Sequence, residues 1–256
     1  MLRSTSTSLF PNRTRPGPRV DAQCLRAADA ARSLNYRIKL FVFVLCTLAI
    51  LFLLNTGYSA LNTISRLDRV EAERDQWQRP SEVLHALDIK PGDVVVDLGC
   101  GSGYFALRLS PQAGKDGRIL AEDIRRLPLV FLWFRTILKS ERNITVMHGD
   151  VTDPHLPPER VNEVLIANTY HELTDSQAIL AHVRESLMPS GRLVVVDRAP
   201  KPSDIGTSPL AEHEISAEQV EKDLRRAQFE IVTLQDNFID KDPDNESWWL
   251  IVARKP

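Results

Sequence analysis

Asp97 ends a short apolar run, Val94 to Val96, and Leu98-Gly-Cys-Gly-Ser-Gly103 follows at once, with three glycines in five positions. Glycine lets backbone approach a ligand closely and adopt φ values that a Cβ forbids. A carboxylate ahead of this loop would repel a pyrophosphate and attract a cationic group. In open α/β sheets an acidic residue about 20 positions further on binds ribose hydroxyls from the end of the second strand. Asp123, in Arg118-Ile-Leu-Ala-Glu-Asp123, occupies that place, with Glu122 as its off-by-one rival. The spacing departs from the dinucleotide fingerprint, since Tyr104 stands where the third glycine would be. The Gly-Lys-Ser/Thr of a phosphate loop is absent. These residues point to a nucleoside that carries a cationic amino-acid group.

Such a loop must be held by a sheet, and the pattern supplies one. Short apolar runs at 94–98, 118–121, 144–148, 164–167 and 192–197 read as strands, separated by helical patterns at 104–109, 127–138 and 175–187. A helix at 81–87 precedes them, with Ser81 near its start and Pro80 ending the segment before it. A helix at 217–227 follows, then strands at 229–234 and 248–253 with no helix between them. Strands without polar alternation, divided by helices, predict a parallel sheet buried on both faces. The fold class expected is α/β: a doubly wound, mostly parallel seven-stranded sheet with an antiparallel C-terminal hairpin edge.

With these elements in place, Asp97-Leu-Gly-Cys-Gly-Ser-Gly103 resembles the first motif of class I S-adenosylmethionine-dependent methyltransferases, a Rossmann-like fold. Three further stretches fall in register: Gly149-Asp150 after the third strand, Asn168-Thr-Tyr-His-Glu-Leu173 after the fourth, and Leu187-Met-Pro-Ser-Gly-Arg192 leading into the fifth. Ser190 and Asn162 depart from the usual residues at positions that do not touch the cofactor in that family. Arg74-Asp-Gln-Trp-Gln-Arg-Pro80 adds a likeness to a bacterial-type group of small methyltransferases. The resemblance implies S-adenosyl-L-methionine as cofactor, with Asp97, Gly99, Gly101, Gly103, Asp123, Asp150 and Asn168 around it and Asp150 near the adenine. It implies methyl transfer by in-line displacement, in which alignment supplies much of the rate. Residues after the fourth strand lie beside the methyl group in this architecture, which makes Tyr170, His171 and Glu172 the catalytic candidates.

Each candidate has a plainer reading. Histidine titrates near neutral pH and suits a general base, yet His171 could instead hydrogen-bond a neighbouring loop and Glu172 cap the next helix. Tyr170 could wall off the sulfonium. Trp77 could cover the cofactor or simply pack under a helix, Cys100 reads as a small filler, and His213 could overhang the substrate mouth. Leu127 to Leu138 is apolar nearly all round, whereas a helix on a sheet keeps one wet face; deep burial is the first expectation and contact with a bilayer the second.

Ahead of this domain the character changes. Residues 1–39 hold eight Arg/Lys against two Asp, leaving −8 for the remainder of a chain with net charge −2. An acidic main domain lacks the basic footprint of nucleic-acid binding. Leu40 to Leu54 is apolar, and no charge occurs between Lys39 and Arg66; a helix crosses a bilayer with roughly 20 such residues. The organisation expected is a basic disordered tail (1–37), a transmembrane helix (38–59), a helical linker (60–80) and the methyltransferase domain (81–256). A cleaved signal peptide, a buried core helix and an organellar transit peptide are competing readings, the first with an unusually long leading segment and the second at odds with the isolation of this segment from any domain pattern. Arginine before the helix argues for an external catalytic domain, but an intracellular cofactor argues for the cytoplasmic side, which is the expectation kept. The three cysteines and six histidines lack disulfide or zinc spacing. The function expected is a single-pass, membrane-tethered methyltransferase acting on a small or lipophilic molecule. A non-catalytic scaffold that retains the fold, and a protein methyltransferase, are the alternatives.

Overall fold

The computed structural model describes residues 22–200 and 214–256 and divides into two compact units, Met1–Asn62 and Thr63–Pro256. The helix α1 (Ala22–Asp75) starts in the first and ends in the second. It begins inside the expected tail (1–37) and takes in residues 27–33, where the sequence reads as a short helix. The reason is local: no Pro or Gly occurs between Val20 and Tyr36, and Ala27, Ala28, Ala30 and Ala31 are the strongest helix formers. Its 34–75 portion is long and apolar enough to cross a membrane, with a mean hydropathy of 2.5 in its most apolar window and no residue of that window buried. The hydroxyls of Thr47 and Thr56 donate back to the carbonyls of Phe43 and Phe52 at 2.8 and 3.0 Å, so these polar groups need no partner from outside the helix.

The second unit is a three-layer sandwich. Its strands are β1 (Val94–Leu98), β2 (Arg118–Asp123), β3 (Ile144–His148), β4 (Val161–Ala167), β5 (Leu187–Arg198), β6 (Glu230–Ile239) and β7 (Trp248–Arg254). They lie in the order β3-β2-β1-β4-β5-β7-β6, parallel from β3 through β5, with β7 antiparallel to both neighbours. This is the doubly wound sheet with an antiparallel edge. Side chains alternate across β1: Val95 packs with α2 (Pro80–Leu87), α3 (Ala106–Ala113) and α4 (Arg126–Lys139) on one face. Val96 and Leu98 pack with α5 (Ser176–Ser186) and α6 (Ala217–Arg226) on the other. Pro80 opens α2 at its first position, where its missing N–H leaves no bond unmade. Asp175 and Ser216 cap α5 and α6 by accepting from Ala178 N and Gln219 N, at 3.0 and 3.2 Å.

The order reverses between β1 and β4, so a crevice opens beyond their carboxyl ends. Residues 63–75 of α1 are fastened beside it by charge. Arg135 of α4, with its side chain 1% exposed, holds both carboxylate oxygens of Glu71 at 2.7 Å, Asp68 at 3.0 Å and the carbonyl of Ser102 at 2.7 Å. Asp75 accepts from Tyr104 Oη at 2.8 Å and from Arg108 at 2.7 Å. One expectation is corrected here: α4 is not buried all round. Leu129, Leu132, Arg135 and Thr136 are buried, while Leu127, Val130, Trp133, Phe134, Ile137 and Leu138 are exposed.

Breaking a buried ion pair by removing one partner strands the other charge and costs roughly 3–5 kcal/mol. We expect Arg135→Ala to destabilise the protein by about 3 kcal/mol in chemical denaturation. The double replacement Arg135→Met with Glu71→Leu should cost less than either single change.

Candidate functional site

The glycine loop is tied to the end of β2. Gly99 N and Cys100 N both donate to the Glu122 carbonyl at 2.9 Å, and Gly101 N donates to Asp123 Oδ2 at 2.9 Å. All three loop glycines have positive φ, at 74°, 54° and 92° for Gly99, Gly101 and Gly103. Their surroundings differ. A Cβ on Gly99 would sit 2.3 Å from Thr169 Cγ2, and one on Gly103 would sit 2.3 Å from Leu132 Cδ1. A Cβ on Gly101 would meet nothing within 4 Å. From their spacing alone all three glycines have one expected role, close approach to a ligand. In the fold Gly99 and Gly103 make room for neighbouring side chains, and Gly101 presents bare backbone to open space.

Behind the loop, Asp97 is 2% exposed. Burial raises its pKa to about 7, against the lowering effects of a hydrogen bond from Ala106 N–H and the nearby charge of Arg74, with Asp123 adding repulsion. Asp97 Oδ2 has no hydrogen-bond partner in the structure. A buried carboxylate oxygen left this way carries a desolvation penalty, which a cationic donor would relieve. Arg74, near the end of α1, lies over the Tyr104 ring at 4.0 Å and bonds Gln78. Burial pulls its guanidinium below the usual range. In the sequence Arg74 stands out only as part of a resemblance; its place in the site depends on the end of α1 being held by Arg108 of α3 and Arg135 of α4.

Two cavities meet at this point. The first is lined by Gly99, Glu122, Asp123, Asp150, Thr169 and Glu172, among others. The second lies between α1 and α4 and includes Leu67, Arg74, Gly101, Tyr104, Phe131 and Asn168. Gly99, Arg125, Thr169 and Glu172 line both. Asp123 already accepts from Gly101 N through Oδ2 and from Arg125 N, at 2.7 Å, through Oδ1; ionised, it retains lone pairs for two hydroxyl donors. Its rival Glu122 lines the same cavity, is 3% exposed, and is pushed up to about 7 by burial and then by Asp123. Asp150 stands at the far rim, largely exposed, with His155 Nε2 at 3.3 Å. Asn168 has positive φ, and its buried Oδ1 lacks a hydrogen-bond partner.

The catalytic candidates separate in space. Tyr170 does not wall the site: it is 2% exposed, packs in the core between α5 and α6, and meets Asp223 at 3.2 Å. His171 also lines neither cavity. Its ring is buried, with Nδ1 2.8 Å from Asp197 Oδ1, and its backbone N donates to Asp197 Oδ2 at 3.1 Å. His171 thus bonds a neighbouring element, β5, through Asp197. The reason is the 3₁₀ turn Tyr170–Glu172, which turns successive side chains to different sides. Glu172 alone of the three faces the cavities, its side chain about half exposed. Trp77 does not cover the site; it packs at 5.7 Å against Trp248. Cys100 lines the second cavity, and burial followed by the nearby carboxylates pushes its thiol pKa up, away from nucleophilic use. His213 lies outside the described residues.

Comparison with known proteins agrees with this geometry. Residues 95–191 match the family described as "Methyltransferase domain". The demethylmenaquinone methyltransferase of Bacillus mycoides is 20% identical over 149 residues, 58% of this chain and 60% of that protein. The protein-L-isoaspartate O-methyltransferase of Methanopyrus kandleri is 29% identical over 112 residues, 43% of this chain and 46% of that one. The chain thus spans less than two thirds of either relative. Among solved structures, a SAM-dependent methyltransferase from Aquifex aeolicus superposes with a TM-score of 0.61 at 22% identity, covering 69% of this chain and 89% of that one.

The glycines make a direct comparison. Gly103→Ala should lower the thermal midpoint by an amount equivalent to about 1–3 kcal/mol, through overpacking against Leu132 added to the positive φ. Gly101→Ala should remain close to wild type in stability, within about 1–2 kcal/mol, yet lose nucleoside affinity in calorimetry.

Proposed function

We propose, on the match of residues 95–191 to the methyltransferase domain family, that the chain is a class I S-adenosylmethionine-dependent methyltransferase, anchored to a membrane, that methylates a small, lipophilic acceptor. The observation that carries this reading is the buried, unpartnered oxygen of Asp97 beside a loop whose Gly101 faces open space. That pair suits an ammonium group and the backbone approach of a nucleoside. Asp97 would hold the amino group, Asp123 the ribose hydroxyls with Glu122 at the same cavity, and Asp150 the adenine edge. Arg74 and Asn168 line the neighbouring cavity, Arg74 as a cation available to a carboxylate and Asn168 as a hydrogen-bonding side chain. When bound, S-adenosylmethionine supplies an electrophilic methyl group.

The acceptor side is then the second cavity. Glu172 reaches both cavities and is the residue placed to take a proton from an acceptor that carries one. His171 acts through it: the His171–Asp197 contacts tie the 3₁₀ turn to β5 and orient Glu172. The apolar part of α1 serves as a single-pass anchor, with the catalytic unit on the cytoplasmic side, where the cofactor is made. A protein acceptor is the second reading, favoured by the partial likeness to the isoaspartate enzyme.

An ammonium ligand binds the ionised form of Asp97. With the free carboxyl raised to about 7, affinity for S-adenosylmethionine should climb as pH rises towards 7 and level off above it. Asp97→Asn should bind at least about tenfold more weakly, the equivalent of about 1.4 kcal/mol, and lose most of that climb. Isothermal titration across pH 5.5–8.5 checks both. Labelled methyl transfer to membrane lipid extract and to soluble protein, offered separately, distinguishes the two acceptors; binding without transfer to either would support the scaffold.

A further inference from the structure

At about 100° per residue, Leu127, Val130, Phe131, Trp133, Phe134, Ile137 and Leu138 share an arc of α4 roughly 160° wide. Apart from Phe131, each is exposed in the structure, and the opposite face, with Leu129, Leu132, Arg135 and Thr136, packs inward. An exposed surface of this kind on a soluble helix marks an interaction site. Its flanks carry a basic surplus: Arg125 and Arg126 precede it, and Lys139 and Arg142 follow with Glu141 between them, Arg125 and Lys139 also meeting Asp123 and Asp68. An apolar face with an aromatic residue, bounded by cations, has the composition of a helix lying in a membrane interface.

The second cavity is walled by α4 and by the last part of α1, both within the second unit. α4 contributes Leu127, Pro128 and Phe131 to its wall, and α1 contributes Thr63 and Leu67. Thr63 belongs to the uncharged stretch 40–65. At 1.5 Å per residue that stretch is about 39 Å long, against about 30 Å of hydrocarbon and about 40–45 Å including headgroups. Centred on the bilayer, the stretch has both ends at headgroup depth, and Thr63 stands near one of them.

Resting on the membrane-anchored reading above, we propose that α4 lies in the lipid interface with its apolar arc among the acyl chains, and that the second cavity receives a methyl acceptor dissolved in the bilayer. Lipid is favoured over other occupants by the basic flanks, which complement anionic headgroups, and by the shared wall with α1.

The full-length protein, reconstituted into phosphatidylcholine–phosphatidylglycerol vesicles with brominated acyl chains, provides the test. Trp133 is the exposed tryptophan of α4, whereas Trp248 and Trp249 are buried and Trp77 packs on Trp248. Bromine quenching should be strong in the wild type and mostly lost in Trp133→Phe, a change that preserves an aromatic ring. Equal quenching in the two proteins would overturn the placement. So would shielding of Trp133 from an aqueous quencher that follows protein concentration rather than lipid, which would assign the face to a second copy. Labelled methyl transfer should yield a product extractable into organic solvent; label confined to aqueous products would overturn the acceptor. Titration of the same samples with S-adenosylmethionine separates the readings. Binding without quenching removes the interface alone, and quenching without binding removes the methyltransferase reading.

Discussion

A carboxylate buried at the end of β1 constrains everything around it. Asp97 sits within reach of the charges of Asp123 and Arg74, and Glu122 lies on the next strand. Burying ionised groups in an apolar sheet is expensive unless they are paired or protonated. The fold answers in parts. Asp123 is satisfied by backbone N–H groups of the glycine loop and of Arg125. Asp97 and Glu122 are pushed towards neutral pH. Arg74 supplies a half-buried cation from outside the sheet. What remains is one oxygen of Asp97 without a partner, so the site is organised around an electrostatic demand that the protein alone leaves open.

The end of α1 meets part of that demand, which explains why its last turns are fastened so heavily. Glu71 and Asp68 grip Arg135, and Asp75 grips Tyr104 and Arg108. These contacts hold Arg74 over the Tyr104 ring and close one side of the second cavity. The segment that reads as a linker is therefore also a wall of the site. On the opposite side, Asp197 at the end of β5 plays the matching part, holding the turn that presents Glu172.

Much of the architecture was legible because it depends on short-range pattern. The unbroken apolar run Val94–Val96 identifies a strand buried on two faces, and β1 and the half-exposed edge strand β3 fall at their expected limits. Boundaries moved where long-range pairing extended an element. β5 begins at Leu187 rather than 192, since Val161 pairs with Leu187 across an irregularity in β4, and β6 continues to Ile239 to meet Trp248. For the site, the spacing from Asp97 to Asp123 could be read directly, because consecutive strands in a parallel sheet put their ends side by side.

The sequence by itself determined the sheet, the order of its elements, and which strand ends carry carboxylates and glycines, all of which follow from local periodicity and turn chemistry. Only the tertiary structure decided what each of those residues faces. It set Gly99 and Gly103 against Thr169 and Leu132 while leaving Gly101 open. It sent Tyr170 into the core and His171 on to Asp197, and left Glu172 at the cavities. It brought Arg74 to Asp97 and left one side of α4 exposed. The physical reason is the same in each case: a side chain's surroundings are made by segments far away along the chain, and no short pattern encodes the distance between them.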